Sequence, residues 1–342
     1  MQEKRRDIPY PVRLDLARTP TPLEPLTHVS EEMGVEVQIK RDDLTGAELT
    51  GNKVRKLEFL LADALESGSD TVLTCGAAQS NHARATAIAA AKLGLKTRLL
   101  LRTRNPANPP PLEGNILLDR LVGAEIIWLT FDEYGRRVEI LEREAELVRA
   151  SGKTPYIIPE GGSNALGAWG YVGMVEELAK DPKGCMGKGN GSTTIVHATG
   201  SGGTTAGLVL GVKLLGLDAQ VVGINVCNDK NYFIKVVSEI CNTAMANYQL
   251  EIPFSPLEDI HIVDGYVGEG YGKASVQVLS LLVDLARTEG IILDPVYTGK
   301  AFHGMTQELK RNPKVFGNKV IFVHTGGIFG LLPMAAQLES FL

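Results

Sequence analysis

Cysteine is scarce in this chain of 342 residues. Cys75, Cys185, Cys227 and Cys241 stand far apart, with no C-x-x-C pair and no histidine at metal-ligand spacing. That excludes a disulfide framework and a zinc module, and no metal site is expected; the four read as reduced, mostly buried thiols of a cytoplasmic protein. Long apolar runs are also missing, so no segment is expected to span a bilayer and no membrane partner is implied. The charged N-terminus runs into Pro9-Tyr10-Pro11 without an apolar stretch, unlike a secretion signal. Basic clusters are limited to Lys4-Arg5-Arg6 in a chain of net charge −5, which argues against nucleic acid as a partner. Glycine, by contrast, is plentiful, with 37 residues spread along the chain, and 44% of all residues are hydrophobic. A chain of this size and composition buries a large core, and two domains are expected.

Short β-rich runs alternate with amphipathic stretches. Thr71–Cys75, Thr97–Leu101, Glu125–Leu129, Pro155–Pro159, Thr193–Ala198, Gln220–Val226 and Lys319–His324 read as buried strands, with helices near Leu166–Lys180 and from about Thr205. This alternation predicts an α/β fold: parallel strands joined by crossovers, with helices on both sheet faces. Residues 55–163 hold a compact β/α set of their own and predict a smaller domain, with 1–54 and 164–342 forming the larger one. The stretch Lys183–Ser192 is rich in glycine and lysine but precedes a strand and lacks Ser or Thr after Gly187-Lys188, so it reads as a surface connection and not a P-loop.

The strongest chemical signal is Gly51-Asn52-Lys53, followed by Val54, Leu57, Leu60 and Leu61 at helical spacing. Lys53 therefore sits at a helix start, where the positive end of the dipole disfavours an ammonium and lowers its pKa. A more neutral amine is what a Schiff-base lysine requires. Taken alone, the stretch also suits a solvated surface lysine.

Three further clusters shift that balance. Thr199-Gly200-Ser201-Gly202-Gly203-Thr204 follows a strand and opens a helix, so its backbone N–H groups, hydroxyls and dipole suit one phosphate; a tight strand-to-helix turn is the plainer alternative. A bulky residue at Gly202 is expected to crowd those N–H groups. Gln79-Ser80-Asn81-His82 lies between a strand and an alanine-rich helix, and Ser80 and Asn81 suit a helix cap and a carboxylate site equally. His82 reads as a packed or first-turn histidine rather than a catalyst. Tyr297 stands before a helix start in Asp294-Pro295-Val296-Tyr297, and Tyr271 is bracketed by Gly270 and Gly272, which permit close approach to a ligand. Ordinary core packing is the default for each ring.

Together these segments resemble pyridoxal-phosphate enzymes of the tryptophan-synthase β type (fold-type II), and within them the D-cysteine desulfhydrase/1-aminocyclopropane-1-carboxylate deaminase family. The likeness runs from Thr21-Pro22-Leu23 and Lys40-Arg41-Asp42-Asp43 to His324-Thr325-Gly326-Gly327. It implies a two-domain, open twisted parallel-sheet fold, pyridoxal 5'-phosphate as cofactor, a small amino-acid substrate and a homodimer. It further implies that Lys53 carries the cofactor covalently and, once freed, acts as base at Cα. Asn81 then partners the cofactor's phenolic oxygen, and Thr199 to Thr204 hold its phosphate. Tyr297 stacks on its ring, with Thr325 at the ring nitrogen. Ser80, Asn81, His82 and Tyr271 surround the substrate, with Ser80 on its carboxylate.

Within the family, the deaminase branch carries Glu and Leu where this chain has Thr298 and Thr325, which is similar to the desulfhydrase branch. A hydroxyl beside the ring nitrogen makes a milder electron sink than a carboxylate does. The expected reaction is α,β-elimination of D-cysteine to pyruvate, sulfide and ammonia. The alternatives are ring-opening deamination of the cyclopropane amino acid, elimination of sulfite from cysteate, and a non-catalytic cofactor carrier, which Ser80, Tyr271 and Tyr297 together disfavour. Ala85 and Ile328-Phe329-Gly330 depart from the desulfhydrase pattern at positions able to line the substrate site.

Overall fold

The computed structural model of the chain describes residues 8–184 and 192–342. Most of the Lys183–Ser192 connection, Cys185 included, lies outside the described residues. Among those described there are ten strands: β1 (Leu23–Pro25), β2 (Glu36–Lys40), β3 (Thr71–Ala77), β4 (Lys96–Arg102), β5 (Glu125–Leu129), β6 (Pro155–Ile157), β7 (Thr193–Thr199), β8 (Ala219–Asn225), β9 (His261–Val263) and β10 (Lys319–Val323). All seven predicted runs are strands. The other three escaped the pattern for physical reasons: β1 and β9 are only three residues long, and β2 alternates Val37 and Ile39 with Gln38 and Lys40, polar residues that are buried all the same.

The strands form two sheets. One has the order β1-β2-β10-β7-β8-β9, parallel except for β1 against β2; the other is wholly parallel, with the order β5-β4-β3-β6. Helices cover the sheet faces, so the chain has the α/β class that its patterning predicts. All four strands of the smaller sheet come from within 55–163.

Strand order dictates where ligands bind. In the smaller sheet the chain moves from β3 outward through β4 to β5, then returns to lay β6 on the other side of β3. In the larger sheet it moves from β7 to β8 and β9, then lays β10 on the other side of β7. Each reversal opens a crevice at the carboxyl ends of two strands, the place where open α/β sheets hold ligands.

Helix Lys53–Glu66 shows how residue pattern becomes packing. Val54, Leu57, Leu60 and Leu61 are wholly buried in a cluster with Ala85, Ile88, Ala89 and Ala90 of helix Asn81–Lys92, while Phe59 packs with Trp169 and Val172 of helix Trp169–Lys180. Each such side chain contributes about 1.5–3 kcal/mol of burial. Arg55 is buried too, in an ion network. Its guanidinium donates to Asp42 Oδ1 and Oδ2 at 2.8 Å each and to Glu177 Oε1 at 2.6 Å, while Lys40 Nζ donates to Glu177 at 2.9 Å and Tyr171 donates its hydroxyl to Asp42 at 2.8 Å. The helix start is pinned by Gly51, which has φ +96°, and by Asn52 N–H donating to the Thr325 carbonyl at 3.1 Å. A Cβ on Gly326 would come within 2.9 Å of Gly51 Cα, so two glycine backbones cross in contact beneath Lys53. No helix among the described residues is long and apolar enough to cross a membrane.

Candidate active site

Both crevices open on one cavity of about 870 Å³. Lys53, Ser80, Asn81, His82, Thr199, Gly200, Ser201, Gly202, Thr204, Tyr271, Tyr297 and Thr325 all line it. Gly203 stands just behind, its N–H donating to Ser163 Oγ at 3.2 Å. Residues from Lys53 to Thr325 thus converge.

Lys53 begins its helix, as predicted, and the accessible part of its half-buried side chain faces the cavity. Its pKa falls to about 8. The chief cause is desolvation, with Glu160 pulling the other way. Nζ donates to the Gly161 carbonyl at 3.3 Å, and the same carbonyl accepts from Lys56 Nζ at 3.3 Å. Burial and the neighbouring Lys53 hold the Lys56 amine well below its ordinary range.

The loop after β7 has the makings of an anion cradle. The backbone N–H groups of Ser201, Gly202 and Thr204 have no acceptor among the described residues, at the start of helix Gly203–Leu215. Asn52 Nδ2 donates to Thr204 Oγ1 at 3.3 Å, and Ser163 and Ser201 hydroxyls meet at 2.8 Å, which ties the loop to the Lys53 segment and to the turn after β6. Gly202 has φ +83°, and a Cβ there would also meet Val236 at 2.9 Å. At Gly200 a Cβ would touch the Tyr297 ring at 3.1 Å.

Ser80 caps helix Asn81–Lys92 by accepting from Ala83 N–H at 3.1 Å, which leaves its hydroxyl proton free to donate into the cavity. The orientation of Asn81 follows from a chain of donors. Arg84 can only donate, and its Nε reaches Asn115 Oδ1 at 3.2 Å; Asn115 Nδ2 therefore donates, to Asn81 Oδ1 at 3.0 Å and to the Gln79 carbonyl at 3.1 Å. With its oxygen engaged, Asn81 keeps Nδ2 as a donor for a ligand. His82 is buried, shares a 2.9 Å hydrogen bond with Thr74 through Nε2, and is held neutral by desolvation and the nearby lysines.

Tyr297 and Tyr271 meet edge to face at 5.7 Å, and their hydroxyls are hydrogen-bonded to each other. Burial pushes Tyr271 up to about 12, so both phenols stay protonated in the ordinary range. Gly268, Gly270 and Gly272 have positive φ, and a Cβ on any of them would meet no protein atom within 4 Å. Lys300 donates to the carbonyls of Val267 and Gly270 at 2.7 Å each and so fixes that turn.

Three positions differ from expectation. Thr298 lies outside the cavity, with its hydroxyl donating to Asp294 Oδ1 at 2.7 Å; only Thr325 keeps a hydroxyl on the lining. Ala85 is fully buried in an apolar cluster with Leu60 and Val72. Phe329 lies under Arg84, with Cζ 5.2 Å from the ring centroid, and Gly330 lines the adjoining opening that Asn81, Arg102, Tyr271 and Tyr297 share with the cavity.

Sequence reasoning also missed residues that the cavity gathers. Glu160 accepts from Tyr134 at 2.7 Å and from Arg137 at 3.0 Å, and Arg102 ends β4 on the same wall. Their position at strand ends was a usable signal. Nothing in the sequence pairs Asn115 with Asn81.

The donor set fits pyridoxal 5'-phosphate: unpartnered N–H groups for a phosphate, an aromatic ring at Gly200, a free amide donor at Asn81 and an amine of lowered pKa. Comparisons with known proteins agree. A family model described as pyridoxal-phosphate dependent enzyme matches residues 14–326. The chain is 40% identical over 336 residues to a protein of Arabidopsis thaliana named bifunctional D-cysteine desulfhydrase/1-aminocyclopropane-1-carboxylate deaminase, mitochondrial, covering 96% of this chain and 81% of that one. It is 39% identical over 342 residues to a Yersinia pestis protein named D-cysteine desulfhydrase, covering 99% of each. The crystal structure of an ACC deaminase homologue superposes with a TM-score of 0.87 at 39% identity, over 98% of this chain and 97% of that one.

Proposed function

Because the chain belongs to the pyridoxal-phosphate-dependent enzyme family, and to the group within it whose members carry both names above, we propose that it catalyses α,β-elimination on a D-amino acid with a β-leaving group, D-cysteine first. The observation that carries this reading is that the Lys53 amine and the Thr199–Thr204 loop share one cavity with Ser80 and Asn81.

The roles follow from chemistry already described. Lys53 would anchor the cofactor covalently, and the loop N–H groups would hold its phosphate. Asn81 Nδ2 would serve its phenolic oxygen, Tyr297 its ring, and the neutral Thr325 hydroxyl its ring nitrogen. When bound, pyridoxal phosphate supplies an electron sink for the negative charge that develops at Cα. The Ser80 hydroxyl and the helix N-terminus hold the substrate carboxylate, with His82 packed behind and Tyr271 at the side. The freed Lys53 amine, about half neutral near pH 8, would take the Cα proton. The β-substituent then leaves with the electron pair of its bond to carbon, and water completes release of pyruvate and ammonia. A neutral Thr325 suits a good leaving group such as thiolate. The Arabidopsis protein's second name supports ring-opening deamination as the competing reading.

We further propose that 55–163 is the smaller domain against 1–54 with 164–342, that the enzyme is a homodimer, and that it works in the cytoplasm. The deciding experiment measures pyruvate and 2-oxobutyrate release from D-cysteine, L-cysteine, cysteate and the cyclopropane acid. D-Cysteine is expected to be the best substrate, and a marked preference for the cyclopropane acid would sink the desulfhydrase reading.

A further inference from the structure

Arg102 ends β4 at the carboxyl edge of the smaller sheet, paired in register with Ala77 of the strand that leads to Ser80. Three rings surround its guanidinium: Tyr271 with its centroid 4.8 Å from Cζ, Tyr134 at 4.9 Å and Phe131 at 5.7 Å. Aromatic faces hold a guanidinium in place, but they do not satisfy its in-plane N–H groups. Among the described residues no carboxylate, carbonyl or hydroxyl accepts a bond from that side chain. The contrast with Arg137 is direct, because Arg137 is paired with Glu160 at 3.0 Å. Glu160 also accepts from Tyr134, so the carboxylate on this wall is already engaged.

A half-buried guanidinium with five donors, oriented by its surroundings and facing a cavity, is a receptor for an anion. The other anion positions of the site are accounted for by the Thr199–Thr204 loop and by Ser80. We propose that Arg102 receives the negative charge of the substrate's β-substituent, so that the site binds α-amino acids with an anionic side chain more tightly than uncharged ones and steadies the thiolate that D-cysteine releases. This rests on the reading above, in which an amino acid occupies this cavity. For D-cysteine, the C–S bond breaks, its electron pair leaves with sulfide beside Arg102, and Lys53 takes the Cα proton. Water then releases pyruvate and ammonia, and no oxidant or reductant is consumed.

The test separates binding from turnover. The holoenzyme is titrated calorimetrically with both enantiomers of aspartate, whose β-carboxylate does not leave, and of alanine. Aspartate of the favoured hand is expected to bind about tenfold to a hundredfold more tightly than alanine. Arg102→Gln should bring that ratio to within about twofold, and Arg102→Lys should retain part of it. Equal affinities in the unmodified enzyme overturn the proposal, with no variant needed. So does an unchanged ratio in Arg102→Gln, or an equal loss for both ligands with a lowered Tm, which would mark Arg102 as a brace for the rings. Pyruvate assays run alongside: a protein that prefers aspartate yet releases pyruvate from neither enantiomer of cysteine nor from cysteate refutes the elimination reading and leaves Arg102 as the anion receptor.

Discussion

Arg55, Lys53 and Lys56 occupy one turn of one helix, and their surroundings treat them oppositely. Arg55 faces Asp42 and Glu177, and those carboxylates keep its guanidinium charged against the cost of burial. Lys53 and Lys56 face the cavity side, where the Gly161 carbonyl is their shared acceptor, and desolvation pulls both amines toward neutrality. Burial alone therefore does not decide the state of a cation; the partners do. One face of the helix is a structural joint, and the other is kept reactive.

The comparison is broken most severely at Lys53. Lys53→Ala should lower turnover by about 10²–10⁴-fold or more. Borohydride treatment followed by mass spectrometry should label Lys53 in the parent enzyme and find no equivalent label in the variant. The cofactor-free variant should be no less stable than the parent at neutral pH, since it sheds a desolvated amine whose burial disfavours the charged form. A label on Lys56 or Lys300 instead would overturn the assignment.

On the opposite face, Asp42→Ala strands Arg55 in the interior and should cost about 3–5 kcal/mol, read from the urea midpoint. Losing less than about 1 kcal/mol there would show that the network is not what holds the helix. A smaller effect is expected at Asn115. Asn115→Asp can only accept, so it should draw the Asn81 amide nitrogen toward itself and turn the oxygen to the cavity. Cofactor affinity should fall about tenfold, measured by equilibrium dialysis, with little change in Tm.

The gentlest test is titration. In cofactor-free protein, reaction of Lys53 with an amine reagent should follow a midpoint near pH 8, against 10.5 for an ordinary lysine. The sign for stability follows from that lowering. Between about pH 8 and 10.5 the unfolded chain holds a proton on this amine that the folded chain has shed, so stability rises with pH across that window. Lys53→Ala should flatten the rise, leaving the part due to Lys56.

Much of this was legible in the residues. The period of Val54, Leu57, Leu60 and Leu61 located the helix and put Lys53 at its start, and the apolar runs located seven strands. The strands that were missed owe their burial to neighbours: Lys40 is interior because Glu177 receives it, and no local pattern announces that. Thr298 illustrates a second limit. Spacing placed it beside Tyr297, but not on which side of the turn its hydroxyl falls; Asp294 decides that, through bonds to successive backbone N–H groups. The Asn81 relay was invisible because Asn115 comes from a helix 34 residues away.

The two strand-order reversals divide labour between the sheets. The anion cradle and Thr325 follow β7 and β10, whereas Ser80, Asn81 and Arg102 belong to the edge formed by β3 and β4. Under the roles proposed above, changes at Ser80 or Arg102 on the β3–β4 edge would retune which amino acid is accepted, while the phosphate cradle, built on the other sheet, would stay as it is. A lineage carrying this architecture explores new substrates by altering one wall at a time, and a laboratory library confined to that edge does the same.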